Sequence, residues 1–285
     1  MFRKTFLFSL ALSLTFFSTL PAAAQAKLTA AQVVEKNVAA RGGAQAWKGV
    51  QTMSWSGKMD AGAGDSLERS RRFAQNEGHL SNSRMSHGNM SGADKKDNQV
   101  QLPFRHEMKR PNKSRTEIDF AGKTAVQVFD GSNGWKYRPF LNRNDVEPFS
   151  ADETKVESED PGIGGYLIDY AARGSKLDLE GMEKVEGHDA YKLKVTSKTG
   201  SVKNVWVDAQ SFLDVKVSGN PRRMDGKMHS VYIFQRDFRD VQGVKVPFVL
   251  ETAVDGYRET HKAMLETVAV NPKLNDSEFT KPQPK

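Results

Sequence analysis

From residue 191 to residue 270 the chain repeats one pattern, an alternation of apolar and polar side chains followed by a turn. Tyr191, Leu193 and Val195 alternate with lysines, Lys198-Thr199-Gly200 turns the chain, and residues 202–208 return. Leu213, Val215 and Val217 alternate next. Residues 229–238 follow, then Val244, Val246, Phe248 and Leu250, then 257–270. A period of two sends every second side chain to one face of a sheet. Such runs, with no helical stretch between them, call for antiparallel pairing and leave no room for the βαβ rhythm of a parallel sheet. Pro247 has no N–H to give to a ladder, so it marks an edge or a bulge.

The first half of the chain adds strands and helices. Residues 53–60 read as a strand, and strand signals resume at Leu102. Residues 114–121 and 123–129 are joined at Ala121-Gly122, with Val126 and Val128 on one face. Asp130-Gly131-Ser132-Asn133-Gly134 is a strong turn, and Trp135-Lys136-Tyr137 resumes the alternation. A first helix begins at Thr29, whose partner Gln32 makes a capping box. Val33, Val34 and Val38 form its apolar stripe, Gly42-Gly43 stops it, and Trp47 packs back on it. Residues 150–160 are acidic and polar. Ile163, Leu167 and Tyr170 then fall on one helical face, and Gly174 closes a second helix over 163–173. Gly162, Gly164 and Gly165 before it and Gly174 after it could hinge it as a lid. Residues 61–101 hold few large apolar side chains, which predicts a flexible insertion loop. The expected fold is mainly β with α: ten or eleven antiparallel strands in a sheet that must curl, with two or three helices for its concave face.

The chain of 285 residues contains no cysteine, so only its own core can hold it together. Arg3 and Lys4 precede an uncharged apolar run from Phe6 to Leu20. That run is about 15 residues, short of the roughly 20 that span a bilayer. Small residues, Pro21-Ala22-Ala23-Ala24-Gln25-Ala26, complete the pattern of an export signal cleaved to leave a mature start near Gln25 or Lys27. The expected organisation is a signal peptide over 1–26, one domain over 27–280 and a disordered tail over 281–285, soluble, monomeric and outside the cytoplasm. Without a cysteine at the cleavage site no lipid anchor can be attached there. The net charge of +7 favours anionic head groups or acidic partners. Nucleic acid fits less well, because the basic residues are interleaved with acidic ones.

Signals for chemistry are absent or weak. There is no Gly-x-Ser-x-Gly elbow, no phosphate-binding glycine loop, and no second histidine to complete a zinc-protease helix after His106-Glu107. His79, Met85, His87 and Met90 offer soft ligands suited to copper. The plainer interpretation, a polar loop that contains them, is preferred. We expect no catalytic residues, no metal and no cofactor. The positive signal is apolar and aromatic. A half-covered apolar concavity is a lipid site, and its candidate lining is Trp55, Val126, Val128, Trp135, Ile163, Leu167, Tyr170, Leu193, Trp206, Val215, Phe248 and Leu250.

Short motifs spread in order along the chain give a resemblance. They are Ala40-Arg41-Gly42-Gly43 with Trp47, then Lys109-Arg110-Pro111-Asn112-Lys113-Ser114-Arg115, then Phe129-Asp130-Gly131 with Gly134-Trp135. Val185-Glu186-Gly187-His188-Asp189-Ala190-Tyr191, Trp206-Val207-Asp208-Ala209 with Phe212-Leu213, Gly243-Val244-Lys245-Val246-Pro247, and Asn271-Pro272 with Phe279 complete the set. The chain resembles the LolA-like family of periplasmic outer-membrane lipoprotein carriers, in particular its longer lipoprotein-sorting branch. The resemblance implies an unclosed β-barrel of about eleven strands with helices across its open side. It implies a carrier of lipoprotein acyl chains or other envelope lipids, served by an inner-membrane donor complex and an outer-membrane acceptor, and no catalysis. The 61–101 insertion is longer than the family pattern needs. An envelope lipid sensor or scaffold on the same fold is the alternative, followed by an exported enzyme or metal-binding protein.

Overall fold

The computed structural model describes residues 28–60, 100–139 and 144–284. The signal segment, most of the 61–101 insertion and the His79–Met90 cluster lie outside these. Helix α1 (Ala30–Ala40) starts at the expected capping box: the Gln32 N–H donates to Thr29 Oγ1 at 3.3 Å, and the Thr29 N–H donates to Gln32 Oε1 at 2.9 Å. It ends at Gly42-Gly43, and a short α2 (Ala44–Gly49) follows. Gly42 has φ +108°, and a Cβ there would lie 2.1 Å from the carbonyl oxygen of Gly243, so only glycine fits.

Thirteen strands form one antiparallel sheet. In chain order they begin with β1 (Thr52–Asp60), β2 (Gln101–Lys109), β3 (Lys113–Phe120), β4 (Lys123–Phe129), β5 (Gly134–Tyr137) and β6 (Val146–Pro148). After helix α3 (Ala151–Glu159) come β7 (Lys176–Val185), β8 (His188–Thr196), β9 (Val202–Asp208) and β10 (Asp214–Ser218). A separate hairpin pairs β11 (Arg222–Met224) with β12 (Lys227–His229). The sheet is completed by β13 (Val231–Val241), β14 (Val244–Val254) and β15 (Thr260–Val270). The strand order is β6-β5-β4-β3-β2-β1-β15-β14-β13-β10-β9-β8-β7, so among the described residues β6 and β7 are the sheet's edges and the barrel is not closed. The count exceeds the expected eleven partly through the three-residue β6, which is too short to show an alternation.

Local turn chemistry explains much of the path. Asp130 Oδ1 accepts from the N–H groups of Ser132 and Asn133 at 2.8 and 2.7 Å, fixing the β4–β5 turn. Pro247 sits where β14 is laddered to β13 alone, since pairing with β15 begins at Val249. Its missing N–H therefore leaves no gap on the β15 side, an edge-like position inside a central strand.

One expectation needs correction, and one element was missed. Residues 163–173 are not a helix but a chain of turns, with positive φ at Gly162, Gly164, Gly165 and Asp169. The apolar spacing imitates a helical period, but a backbone that repeatedly enters the left-handed region cannot carry a continuous helical ladder. Only isolated turn bonds remain, such as the Arg173 N–H to Asp169 O at 3.2 Å. The helix lies just before it, in the acidic stretch. There Ser150 and Glu153 form a second capping box at the start of α3. Sequence reading missed α3 because Val156, its one large apolar residue, is exposed and gives no stripe.

Candidate functional site

Residues directly opposite on antiparallel strands share a face. Following the register from Trp55 to His106, Thr116 and Gln127 in one direction, and from Trp55 to Val268 in the other, defines an inner face. This is the face that meets α1, α2, α3 and the 161–175 segment.

The inner face has two parts. In the near half, α1 lays Val33 and Val34 on Leu193, Val195, Val205, Val207 and Val217, with Leu167 buried among them and Tyr170 packed at the edge. Beside this cluster Trp47, Val50, Ile163 and Ile168 cover Met53, Met108, Val244 and Val246. The 161–175 segment thus works as a plug. Lacking a helical ladder, its carbonyls are met by arginines. Arg41 Nη1 donates to Gly164 O at 2.8 Å, and Arg173 donates to the carbonyls of Gly165, Tyr166 and Ile168. Arg41 is buried, faces Asp214 at 3.4 Å, and lies 4.7 Å from the Trp47 ring centre. Asn37 joins this network by donating to Phe212 O and to Asp214. Arg110, after which the peptide to Pro111 is cis, donates to Val50 O at 2.8 Å and pairs with Asp169 at 3.8 Å.

The far half is different. Phe104, Phe248 and Leu265 are buried, with Trp55, Met59, Ile118, Val241, Leu250, Ala263 and Val268 half-buried around them. Among the described residues every member of this patch stands on a strand of the sheet itself. Trp55 lies between the halves. Its indole N–H is buried and has no hydrogen-bond partner among the described residues. The His106 ring lies 5.6 Å away, with Nδ1 2.9 Å from Thr116 Oγ1. Burial pushes the His106 pKa down, against the opposing pull of Asp160, so the ring is neutral at pH 7. Beyond His106 a cavity of about 130 Å³ opens between α3 and β2–β4. Its lining is polar: Arg110, Ser114, Thr116, Gln127 and Glu157. Burial, and then the charge of Asp160, raise the Glu157 pKa.

Of the twelve residues picked from sequence, Trp55, Ile163, Leu167, Tyr170, Leu193, Phe248 and Leu250 lie on the inner side. Only Trp55, Phe248 and Leu250 belong to the far patch. The other five are on the outer face, so no single cavity can hold all twelve. Val126, Val128 and Trp135 are covered there by Leu274 and Phe279 of the C-terminal segment. Trp206 and Val215 join Val185, Ala190, Tyr232 and Phe234. The register shift between Asp214 and Lys216 carries Val215 outward while Val217 stays inward, which an unbroken alternation hides. Phe104, Ile118, Val241 and Leu265 were missed; Phe104 lies in the run that starts at Leu102, where alternation alone could have flagged it.

Among the described residues no group of three or more His, Asp or Glu could hold a metal ion, and no helix is long and apolar enough to cross a membrane.

No family model matches the chain, and no curated protein matches it. Solved structures do match along nearly the full chain. A LolA superfamily protein of Nitrosomonas europaea aligns with a TM-score of 0.53 at 15% identity, covering 90% of this chain and 99% of that one. The chain has a LolA-like fold. A DUF1329 family protein of Desulfovibrio piger aligns at 0.51 and 12% identity, over 89% of this chain and 98% of its own. A domain described as that of an outer membrane lipoprotein-sorting protein, from Vibrio parahaemolyticus, aligns at 0.50 and 12% identity, over 88% and 95%. The LolA-like expectation from the motifs and the unclosed antiparallel sheet therefore agree.

Proposed function

We propose that this protein is a soluble periplasmic carrier that holds acyl chains of lipoproteins or other envelope lipids on the far half of the inner face and moves them towards the outer membrane. In this proposal residues 1–26 are removed on export, residues 27–280 act as one monomeric domain, and the carrier has no catalysis of its own. An inner-membrane donor complex would load it and an outer-membrane acceptor would unload it.

The observation that carries the proposal is the far patch: among the described residues, ten apolar residues gathered on the inner face, all from the sheet and most only half-buried, in a fold shared with LolA superfamily and lipoprotein-sorting structures. Each methylene taken from water contributes about 0.8 kcal/mol, so one acyl chain supplies on the order of 10 kcal/mol. The Trp55 indole N–H suits the polar end of such a ligand. An ester carbonyl would give this buried donor the acceptor it lacks.

Native mass spectrometry of the mature chain purified from a periplasm tests the proposal. A bound lipid mass, followed by transfer of that lipid between vesicles, is the expected result. Lipid that binds but is never transferred would favour a sensor. A chain with no lipid under any loading condition would remove the proposal.

A further inference from the structure

The β11–β12 hairpin stands apart from the main sheet, between β10 and β13. Its two-residue loop, Asp225-Gly226, has φ +49° and +77°, the signs a tight type I′ hairpin turn requires. The hairpin is braced from one side. Tyr257, in the β14–β15 turn, donates its hydroxyl to Asp225, and its ring meets His229 edge-on at 5.2 Å between centres. His229 Nδ1 lies 3.0 Å from Asp255 O. Arg223 and Met228, directly opposite each other, take the face away from His229, while Arg222 and Lys227 share the His229 face. The three cations and Met228 are all exposed, and Met228, at 60%, is the most exposed large apolar residue among the described ones. None of the three cations has an acidic partner in an ion pair among the described residues. Arg223 does donate to Gly226 O at 3.0 Å. The hairpin's one acid, Asp225, is engaged by Tyr257.

The sheet places this hairpin at a particular end. Val231 pairs with Val254, Ala253 with Thr260, and Met59 with both Ala263 and Leu102. The hairpin, the β14–β15 turn and the β1–β2 ends therefore lie together. Met59, Leu250 and Ala263 of the far patch are nearest to that end, while Arg110, Gly243 and α2 lie at the other.

We propose that the β11–β12 hairpin docks the protein on an anionic lipid bilayer. Three exposed cations on the two faces of one short hairpin, none in an ion pair among the described residues, together with an exposed thioether beside Arg223, match a surface whose head groups are negative and whose interior takes an apolar side chain. An acidic protein surface would satisfy the cations but offers nothing specific to Met228. Docking of this kind does not depend on whether the inner face carries lipid. Where it does, the far patch would meet the bilayer at the end from which a chain could enter.

The test is co-sedimentation of the full mature chain with phosphatidylcholine vesicles, with and without phosphatidylglycerol. Wild type should bind only the anionic vesicles and lose binding as salt is raised. A basic residue near an anionic surface shifts partitioning about five-fold, so R222E/R223E/K227E should lower it about a hundredfold or more. The melting temperature should be unchanged, because all three side chains are exposed; R222Q/R223Q/K227Q serves if the reversed variant melts early. K48E/K155E/K245E, which makes the same change in net charge at exposed sites away from the hairpin, should keep most of the binding. Met228→Asp should cost several-fold. No binding of wild type to anionic vesicles, or equal losses in the two triple reversals, would overturn the proposal. Because no acyl probe is involved, failure here is distinct from failure of the carrier proposal.

Discussion

The two halves of the inner face are made from the same kind of strand residues, yet they are finished differently. In the near half Leu193 and Val207 are 0% exposed, because α1 and the plug supply a second layer. In the far half Leu250, Met59 and Trp55 remain half-buried, and among the described residues the apolar patch is drawn from the sheet alone. Polar groups do not follow the same division. Arg41 and Arg173 meet the plug carbonyls of Gly164, Gly165, Tyr166 and Ile168. Yet Asn37 Oδ1 and Arg41 Nε in the near half, like the Trp55 N–H, are buried without a partner among the described residues. The contrast teaches that one sheet can bury part of its apolar surface under a second layer and leave part half-buried. The division is set by what lies over each strand rather than by the strand sequence.

If the near half is purely structural, damage to it should appear in the melt. Leu167→Glu puts a carboxylate where the side chain is 1% exposed. The expected loss is about 4 kcal/mol, or about 10 °C in melting temperature for a chain of this size. A melt within a degree of wild type would mean that the plug is not part of the core and that the two halves are alike.

The second expectation is slightly smaller. Arg41→Ala leaves Asp214 buried without its cation and Gly164 O without its donor. About 3 kcal/mol should be lost, much of it recovered when Asp214 is also replaced by Asn. Chemical denaturation of the single and double variants reads this directly. Strictly additive losses would show that Arg41 holds the plug without involving Asp214.

How much of this division was legible in the sequence depends on range. The capping box at Thr29, the turn at Asp130 and the alternations of β8, β9 and β14 are local chemistry, and they appear where the residues place them. Which face each alternation supplies is not local. Val126 and Val128 alternate correctly, but their face is decided by Leu274 and Phe279, more than a hundred residues later. Val215 was misplaced by one bulge, and Trp206 followed the wrong parity because Val205 and Val207 claim the inner side. The 163–173 segment shows the opposite failure. Its apolar residues point inward as a helix would have them, while glycines and Asp169 give it another backbone. The candidate site was therefore legible as a property of the sheet, and only partly as a set of residues.

The central claim is that the far half binds acyl chains and the near half does not. Titration of a fluorescent fatty-acid probe into lipid-stripped protein tests it most directly, with wild type beside Leu250→Asp. Leu250 is only half-buried, so the variant should melt within about 1 kcal/mol of wild type. A carboxylate in the patch should nevertheless weaken the probe at least about tenfold, since a ligand must then desolvate a charge. Saturable binding by wild type and its loss in folded Leu250→Asp is the predicted result. No saturable binding by wild type, or equal affinity in both proteins, would contradict the account.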